Sequence, residues 1–113
     1  MVDISVVIIN YNSSRYTIEC IKSIIEHTSD ELSIEIIVVD NKSNGSDFRA
    51  LKKACENLEI EFLNIYKNKT NSGFGGGNMF GFKYAKGKYL AFINNDVLLN
   101  NDCLRLLKND YDN

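Results

Sequence analysis

The chain has 113 residues, 44% of them hydrophobic and 25% charged, which suits one domain with a buried core and lies far from the compositions of disordered chains. Thirteen basic side chains against fifteen acidic ones give a net charge of -2, which excludes a global field drawing the protein to nucleic acid or to an anionic membrane. The amino terminus carries no positive leader and its apolar run from Val6 to Ile9 is too short for a signal peptide or a membrane span, so a cytoplasmic chain is expected.

Ile4 to Ile9 is a β-branched run, apolar on both faces, as in a central parallel strand covered by helices. Asn12, Ser13 and Ser14 offer helix-starting oxygens. Ile18, Ile21, Ile24, Ile25 and Thr28 then recur at helical spacing, which predicts a helix ending near His27 to Ser29. Ile34 to Val39 repeats the first strand and stops at the turn-forming stretch Asp40 to Ser46. Ser46 or Asp47 can cap a second helix that turns Phe48, Leu51, Cys55 and Leu58 inward, and Ile60 to Tyr66 reads as a third strand.

The glycine-rich stretch Asn68 to Gly77 precedes Met79, Phe82 and Ala85 at helical spacing, with Gly87 placed to end that helix in a left-handed turn. Tyr89 to Ile93 is a fourth strand, cut off by Asn94-Asn95-Asp96. Asn101 or Asp102 then caps a last helix holding Leu104, Leu106 and Leu107. This alternation predicts an α/β fold: a three-layer, Rossmann-like, open and mostly parallel sheet of about four strands with flanking helices.

In such sheets ligands collect at the carboxyl ends of the strands, here the loops Asn10 to Ser14, Asp40 to Ser46, Asn68 to Gly77 and Asn94 to Asp96. These loops are rich in Asn, Ser, Gly and Asp and hold no His or Cys cluster, which argues against a zinc site or a thiol enzyme. His27, the single histidine, falls at the far end of its helix, so a serine triad has no partner. Cys20, Cys55 and Cys103 sit in apolar surroundings and read as buried free thiols.

Gly73-Phe74-Gly75-Gly76-Gly77-Asn78 fails the dinucleotide fingerprint, because Asn78 occupies its last position and the segment follows the third strand. The glycines form either a tight turn or a bare backbone that a ligand approaches at a helix amino terminus, and their number favours the second reading. Asp40 and Asp96 each follow an apolar strand directly. The oxygen-rich Asn94-Asn95-Asp96 suits a hard divalent ion, Mg²⁺ or Mn²⁺, that takes few protein ligands when substrate phosphates supply the rest.

Four segments in order, Val6-Val7-Ile8-Ile9-Asn10-Tyr11-Asn12, Val38-Val39-Asp40-Asn41-Lys42-Ser43, Asn71-Ser72-Gly73-Phe74-Gly75-Gly76-Gly77-Asn78 and Phe92-Ile93-Asn94-Asn95-Asp96, resemble family 2 glycosyltransferases of the GT-A fold, particularly the rhamnosyltransferase-like branch. The resemblance implies that residues 1–113 are one domain, the N-terminal nucleotide-sugar-binding part of a longer enzyme. Ile9 and Tyr11 would line the base, Asp40 would hydrogen-bond the uracil or thymine edge, and Ser43 would belong to the same pocket. Asn71, Gly75, Gly76 and Asn78 would lie near ribose, diphosphate or sugar. Asn94 and Asn95 would face the donor and Asp96 the metal, with Asn94 standing where the family's Asp-x-Asp motif has its first carboxylate.

The resemblance further implies inverting transfer from a UDP- or dTDP-linked sugar to the hydroxyl of a glycan or lipid-linked acceptor. Membrane contact would come only through further segments. The family's base lies in the second half of the domain, and Asp102 and Asp110 follow the metal loop too closely to be matched with it. No catalytic residue is therefore assigned, and donor binding with little or no transfer is expected of this chain alone. The alternative is a non-catalytic nucleotide-sugar binding module. A receiver-like signalling domain ranks last, since Asn10-Tyr11-Asn12 stands where such domains cluster acids. An uncovered strand edge or sheet face would favour a homo-oligomer.

Overall fold

The structure, a computed structural model, describes residues 1–71 and 73–112. Ser72, part of the glycine-rich segment quoted above, lies outside the described residues. The elements run β1 (Ile4–Asn10), α1 (Ser14–His27), β2 (Ile34–Asp40), α2 (Gly45–Leu58), β3 (Leu63–Lys67), α3 (Gly73–Phe82), β4 (Tyr89–Ile93) and α4 (Cys103–Asp112). The strands form one parallel sheet in the order β3-β2-β1-β4. The chain first builds outward from β1 through β2 to β3, then crosses to the other side of β1 with β4. The strand order thus reverses between β1 and β4, where the carboxyl ends of neighbouring strands open a crevice.

Side chains alternate across the strands. Ile4, Val6 and Ile8 of β1 and Ile34, Ile36 and Val38 of β2 face α1, α2 and Leu104 of α4. Val7, Ile37 and Val39 face the opposite way, against Phe80 and Ala85. Burial on both faces is why β1 and β2 read as continuous apolar runs.

The α3 layer differs from the expectation. Met79 and Phe82, which set the helical spacing in the sequence, are 65% and 52% exposed. The face that meets the sheet is made of Gly77 and Gly81, one helical turn apart. A Cβ on Gly81 would stand 2.6 Å from Val7 Cγ1 and 3.1 Å from Val39 Cγ2, and one on Gly77 would stand 2.8 Å from Ile9 Cδ1. These glycines let a helix backbone lie directly on β1 and β2, so the helical spacing of large residues marked the solvent side.

Four further differences have local causes. Strand β3 starts at Leu63 rather than Ile60, because the Leu63 N–H turns back to the Ile60 carbonyl. Helix α2 is capped by Asn44, whose side chain accepts from the Asp47 N–H at 2.9 Å, and not by Ser46 or Asp47. Gly87 is not left-handed: Gly73, with φ 74°, is the described glycine that is. Gly87 is small because a Cβ there would meet the Ser5 backbone N at 2.5 Å. Among the described side chains of α4 only Leu104 is buried, while Leu106 and Leu107 are half exposed.

The cysteines are free, with Cys20 and Cys55 buried and Cys103 half-buried. Burial pushes the Cys20 thiol up to about 11, with the Asp96 charge adding to it, and burial alone pushes Cys55 up to about 11. Strand β4 pairs with β1 on one edge, and Phe92 on its α3-side face is half exposed. No helix among the described residues is long and apolar enough to cross a membrane.

Candidate functional site

A cavity of about 410 Å³ opens at the strand-order reversal. One wall is Ile9 and Tyr11 at the end of β1 with Ser13 beyond them. The second is Asn94, Asn95 and Asp96 after β4, and the third is Asn41 with Asn71 and Gly73 at the start of α3. Six of the residues expected at a ligand site therefore come together here: Ile9, Tyr11, Asn71, Asn94, Asn95 and Asp96.

The other expected residues lie elsewhere. Asp40 is fully buried, as is most of Ser43. Both Asp40 oxygens are engaged: Oδ1 accepts from the Asn10 amide at 2.9 Å and the Ser43 hydroxyl at 2.6 Å, and Oδ2 accepts from the Ser43 N–H at 3.0 Å. Asp40 does not line the cleft, and its carboxylate is engaged by Asn10 and Ser43. Gly75 is exposed with open space around it, and Gly76 borders a separate cavity beside Met79 and Phe80. Asn78 is half-buried within α3, where its Oδ1 has no hydrogen-bond partner.

The sequence reading missed Asn41 and Ser13 in the cleft. Strand alternation supplies the signal for Asn41. Asp40 continues the face of Ile36 and Val38, toward α1 and α2, whereas Asn41 continues the face of Ile37 and Val39, on which Ile9 also lies. One residue of register separates a carboxylate under the sheet from an amide on the ligand side. Asn41 also fixes its surroundings: its amide donates to the Gly73 carbonyl at 2.9 Å, and it accepts from the Asn68 amide at 3.0 Å. The Gly73 N–H in turn donates to Asn71 Oδ1 at 3.0 Å, so the start of α3 is tied to the end of β2.

Beneath the cleft lies a buried polar layer. Asn10, fully buried, faces Asp40, Ser43 and Asp47 with its Nδ2 at 2.9, 3.2 and 3.0 Å. Carboxylates only accept, so the amide orientation is forced, and Oδ1 is left to accept from the Thr17 hydroxyl at 2.6 Å. Asp47 also accepts from the Ser14 N–H at 3.0 Å and so closes the start of α1, where the Ser13 side chain makes no capping bond. Burial alone would raise the Asp47 carboxyl; the hydrogen bonds from the Asn10 side chain, from Ser14 and from Ser43 outweigh it and hold the group below its ordinary value.

The donor set fits a hard cation with few protein ligands. Asp96 is an exposed carboxylate at the cleft, flanked by two side-chain amides, and no cluster of three His, Cys, Asp or Glu occurs among the described residues. Such a site suits Mg²⁺ or Mn²⁺ sharing its coordination with ligand phosphates, not a closed protein cage.

Residues 5–113 match the family described as glycosyl transferase family 2. The poly(ribitol-phosphate) beta-glucosyltransferase of Bacillus spizizenii is 34% identical over 104 residues, covering 89% of this chain and 16% of that protein. The crystal structure of S. aureus TarS 1-349 in complex with UDP-GlcNAc superposes with a TM-score of 0.81 at 26% identity, over 97% of this chain and 31% of that one. A mannosyltransferase from Pyrobaculum calidifontis, in complex with GDP-Man and Mn²⁺, shares the fold with a TM-score of 0.81 at 19% identity, over 96% of this chain and 31% of that one. The chain spans under a third of the length of each of these proteins, and none of the three names specifies the rhamnosyltransferase-like branch. With the switch-point cleft and the family match in agreement, the chain belongs to glycosyl transferase family 2 and has its GT-A fold.

Proposed function

We propose that residues 1–113 form the donor-nucleotide part of a longer glycosyltransferase that moves a sugar from a UDP- or dTDP-linked donor to an acceptor hydroxyl in polysaccharide synthesis. The observation that carries this reading is the cleft between β1 and β4, where an aromatic and aliphatic wall, Tyr11 and Ile9, stands across from an oxygen-rich wall ending in Asp96. The glucosyltransferase relative and the solved complex with UDP-GlcNAc support it.

In this reading Ile9 and Tyr11 pack against the base, and the Asn41 amide takes the polar edge of the nucleoside in place of the buried Asp40. Asn71 and the start of α3 lie near ribose and diphosphate, with Asn94, Asn95 and Asp96 on the diphosphate and sugar. Asp96 would hold a divalent ion, Mg²⁺ or Mn²⁺, whose charge offsets that of the departing nucleoside diphosphate. In an inverting transfer the acceptor oxygen forms a bond to the anomeric carbon as the bond to the diphosphate oxygen breaks, and the acceptor proton passes to a base. Asp96 is the one carboxylate lining the cleft among the described residues. With Asp96 given to the metal, the base would be a residue other than those lining this cleft.

Equilibrium binding of UDP, dTDP, ADP and GDP tests the reading. UDP or dTDP should bind most tightly, and Tyr11→Ala should weaken both by roughly tenfold, the scale of one aromatic base contact. Equal affinity for all four nucleotides, unchanged by Tyr11→Ala, would remove the base pocket from this cleft.

A further inference from the structure

We propose that Thr17, a residue outside the cleft, is a positioning residue that holds Asn95, and with it the loop bearing Asp96, against the end of β1. This rests on the donor-site reading above. The β1–β4 ladder ends at the pair Ile8 and Ile93, so Asn94, Asn95 and Asp96 extend past the last strand pairing. Side chains from α1 hold the loop instead. Asn95 Nδ2 donates to the Ser13 hydroxyl at 2.7 Å and to the Thr17 hydroxyl at 3.0 Å, and the Leu99 N–H donates to Ser23 Oγ at 3.0 Å.

Of the two hydroxyls on Asn95, only that of Thr17 continues into the strand ends. It is fully buried and donates its own hydrogen bond to Asn10 Oδ1 at 2.6 Å. The ordinary fate of a threonine in a helix is a bond to the carbonyl four residues back, here Ser13 at 3.4 Å. The difference of distance decides for Asn10. Asn10 is then locked by Asp40, Ser43 and Asp47, so its acceptor end cannot turn away. The result is a one-way series of donors, Asn95 to Thr17 to Asn10 to the two carboxylates, that links the β4 loop to the ends of β1 and β2. Asn95 and Asp96 both line the cleft, so the anchor on the Asn95 nitrogen fixes the loop at the residue next to the carboxylate.

The consequence is separable from a general packing role. Removing the Thr17 hydroxyl cuts the link from Asn95 to the strand ends and leaves the loop that carries Asp96 held through Ser13 and Ser23 alone, while the Asn41 wall of the cleft keeps its own bonds to Gly73 and Asn68. Calorimetry of UDP binding with and without Mn²⁺ is the test, on wild type, Thr17→Val and Thr17→Ser. Thr17→Val should lose most of the Mn²⁺-dependent gain in UDP affinity, roughly tenfold for one buried hydrogen bond, and bind UDP without metal as wild type does. Thr17→Ser should restore the gain. In the nucleotide-free protein the Asn95 side-chain amide should exchange slowly in wild type and Thr17→Ser and rapidly in Thr17→Val.

A wild-type metal gain in Thr17→Val, or equal losses with and without metal, would overturn the proposal while leaving the donor site intact. Absence of UDP binding by wild type would instead remove the donor reading, and this proposal with it. If Thr17→Val fails to fold, Thr17→Ala removes the same hydroxyl without a branched side chain in its place: loss of the metal gain supports the proposal and its retention refutes it.

Discussion

Asn10 and Asp40 end the two central strands as register partners, and the Asn10 amide donates to the Asp40 carboxylate across 2.9 Å. An acid next to an amide at adjacent strand ends would ordinarily be sought as a ligand pair. Here both are fully buried and spend their polar groups on each other, on Ser43 and on Thr17. The cleft above them is shaped by residues they hold, not by their own side chains.

Asp40→Ala is therefore expected to act on stability first. The substitution strands the Ser43 hydroxyl and the Ser43 N–H without their acceptor and takes one of three acceptors from the Asn10 amide, which should cost about 2 kcal/mol or more. Urea unfolding of Asp40→Ala against wild type measures this. A variant as stable as wild type that loses its preference for UDP or dTDP would return Asp40 to the base pocket.

Glycine substitutions in α3 should diverge by position. Helix propensity alone predicts that alanine stabilises any of them by up to about 1 kcal/mol. Gly75 has open space, so Gly75→Ala should gain that amount. At Gly81 the new Cβ would lie 2.6 Å from Val7 Cγ1, and overpacking of this kind costs about 1–3 kcal/mol, so the loss wins. Thermal unfolding of the two variants should move in opposite directions. Similar shifts in both would mean that α3 does not lie on the sheet through its glycine face.

The hydrogen bonds on Asp47 give stability a defined pH dependence. Its carboxyl is held below the ordinary 3.8 in the folded protein. As pH falls the unfolded chain takes up that proton first, so the stabilisation is complete above the unfolded value and is lost as pH drops through the folded one. Asp47→Asn should flatten the fall in urea midpoint on acidification below about pH 4. Asp102 and Asp112, also held low, by Arg105 and by Lys108 and Tyr89 respectively, keep the remainder of that slope. An unchanged acid limb in Asp47→Asn would contradict the network.

Thiol chemistry reads the Asp96 loop from below. Cys20 donates toward the Asn94 carbonyl at 3.9 Å and is pushed up to about 11 by burial and then by Asp96. At neutral pH almost none is thiolate, so alkylation of the native protein should favour the half-buried Cys103 over Cys20 and Cys55. Asp96→Asn should speed Cys20 alkylation at raised pH relative to Cys55. Parallel rates in wild type and variant would place the Asp96 charge away from Cys20.

Much of this arrangement was legible in the chain. β-branched runs, interrupted within the strands by Ser5 and Glu35, marked β1 and β2, and Tyr89–Ile93 was bounded correctly because Gly87 and Asn94 punctuate it on either side. The α3 layer was not, since a helix that touches a sheet through glycines leaves its large residues at helical spacing on the wrong side. The placement of Asp40 below the cleft has a related reason. Strand-end position says that a residue is near the ligand edge, while only the alternation through Val38, Val39, Asp40 and Asn41 says which face it takes. The polar layer of Asn10, Thr17 and Asp47 had no local signal at all, because its partners lie up to 37 residues apart.

The most direct test of the donor site is calorimetry of UDP and dTDP binding to wild type and Asp96→Ala, each with and without Mn²⁺. One of the two nucleotides should bind wild type more tightly when Mn²⁺ is present, and Asp96→Ala should abolish that gain while leaving the metal-free affinity in place. Binding that is indifferent to Mn²⁺ and to the loss of the Asp96 carboxylate would contradict the account.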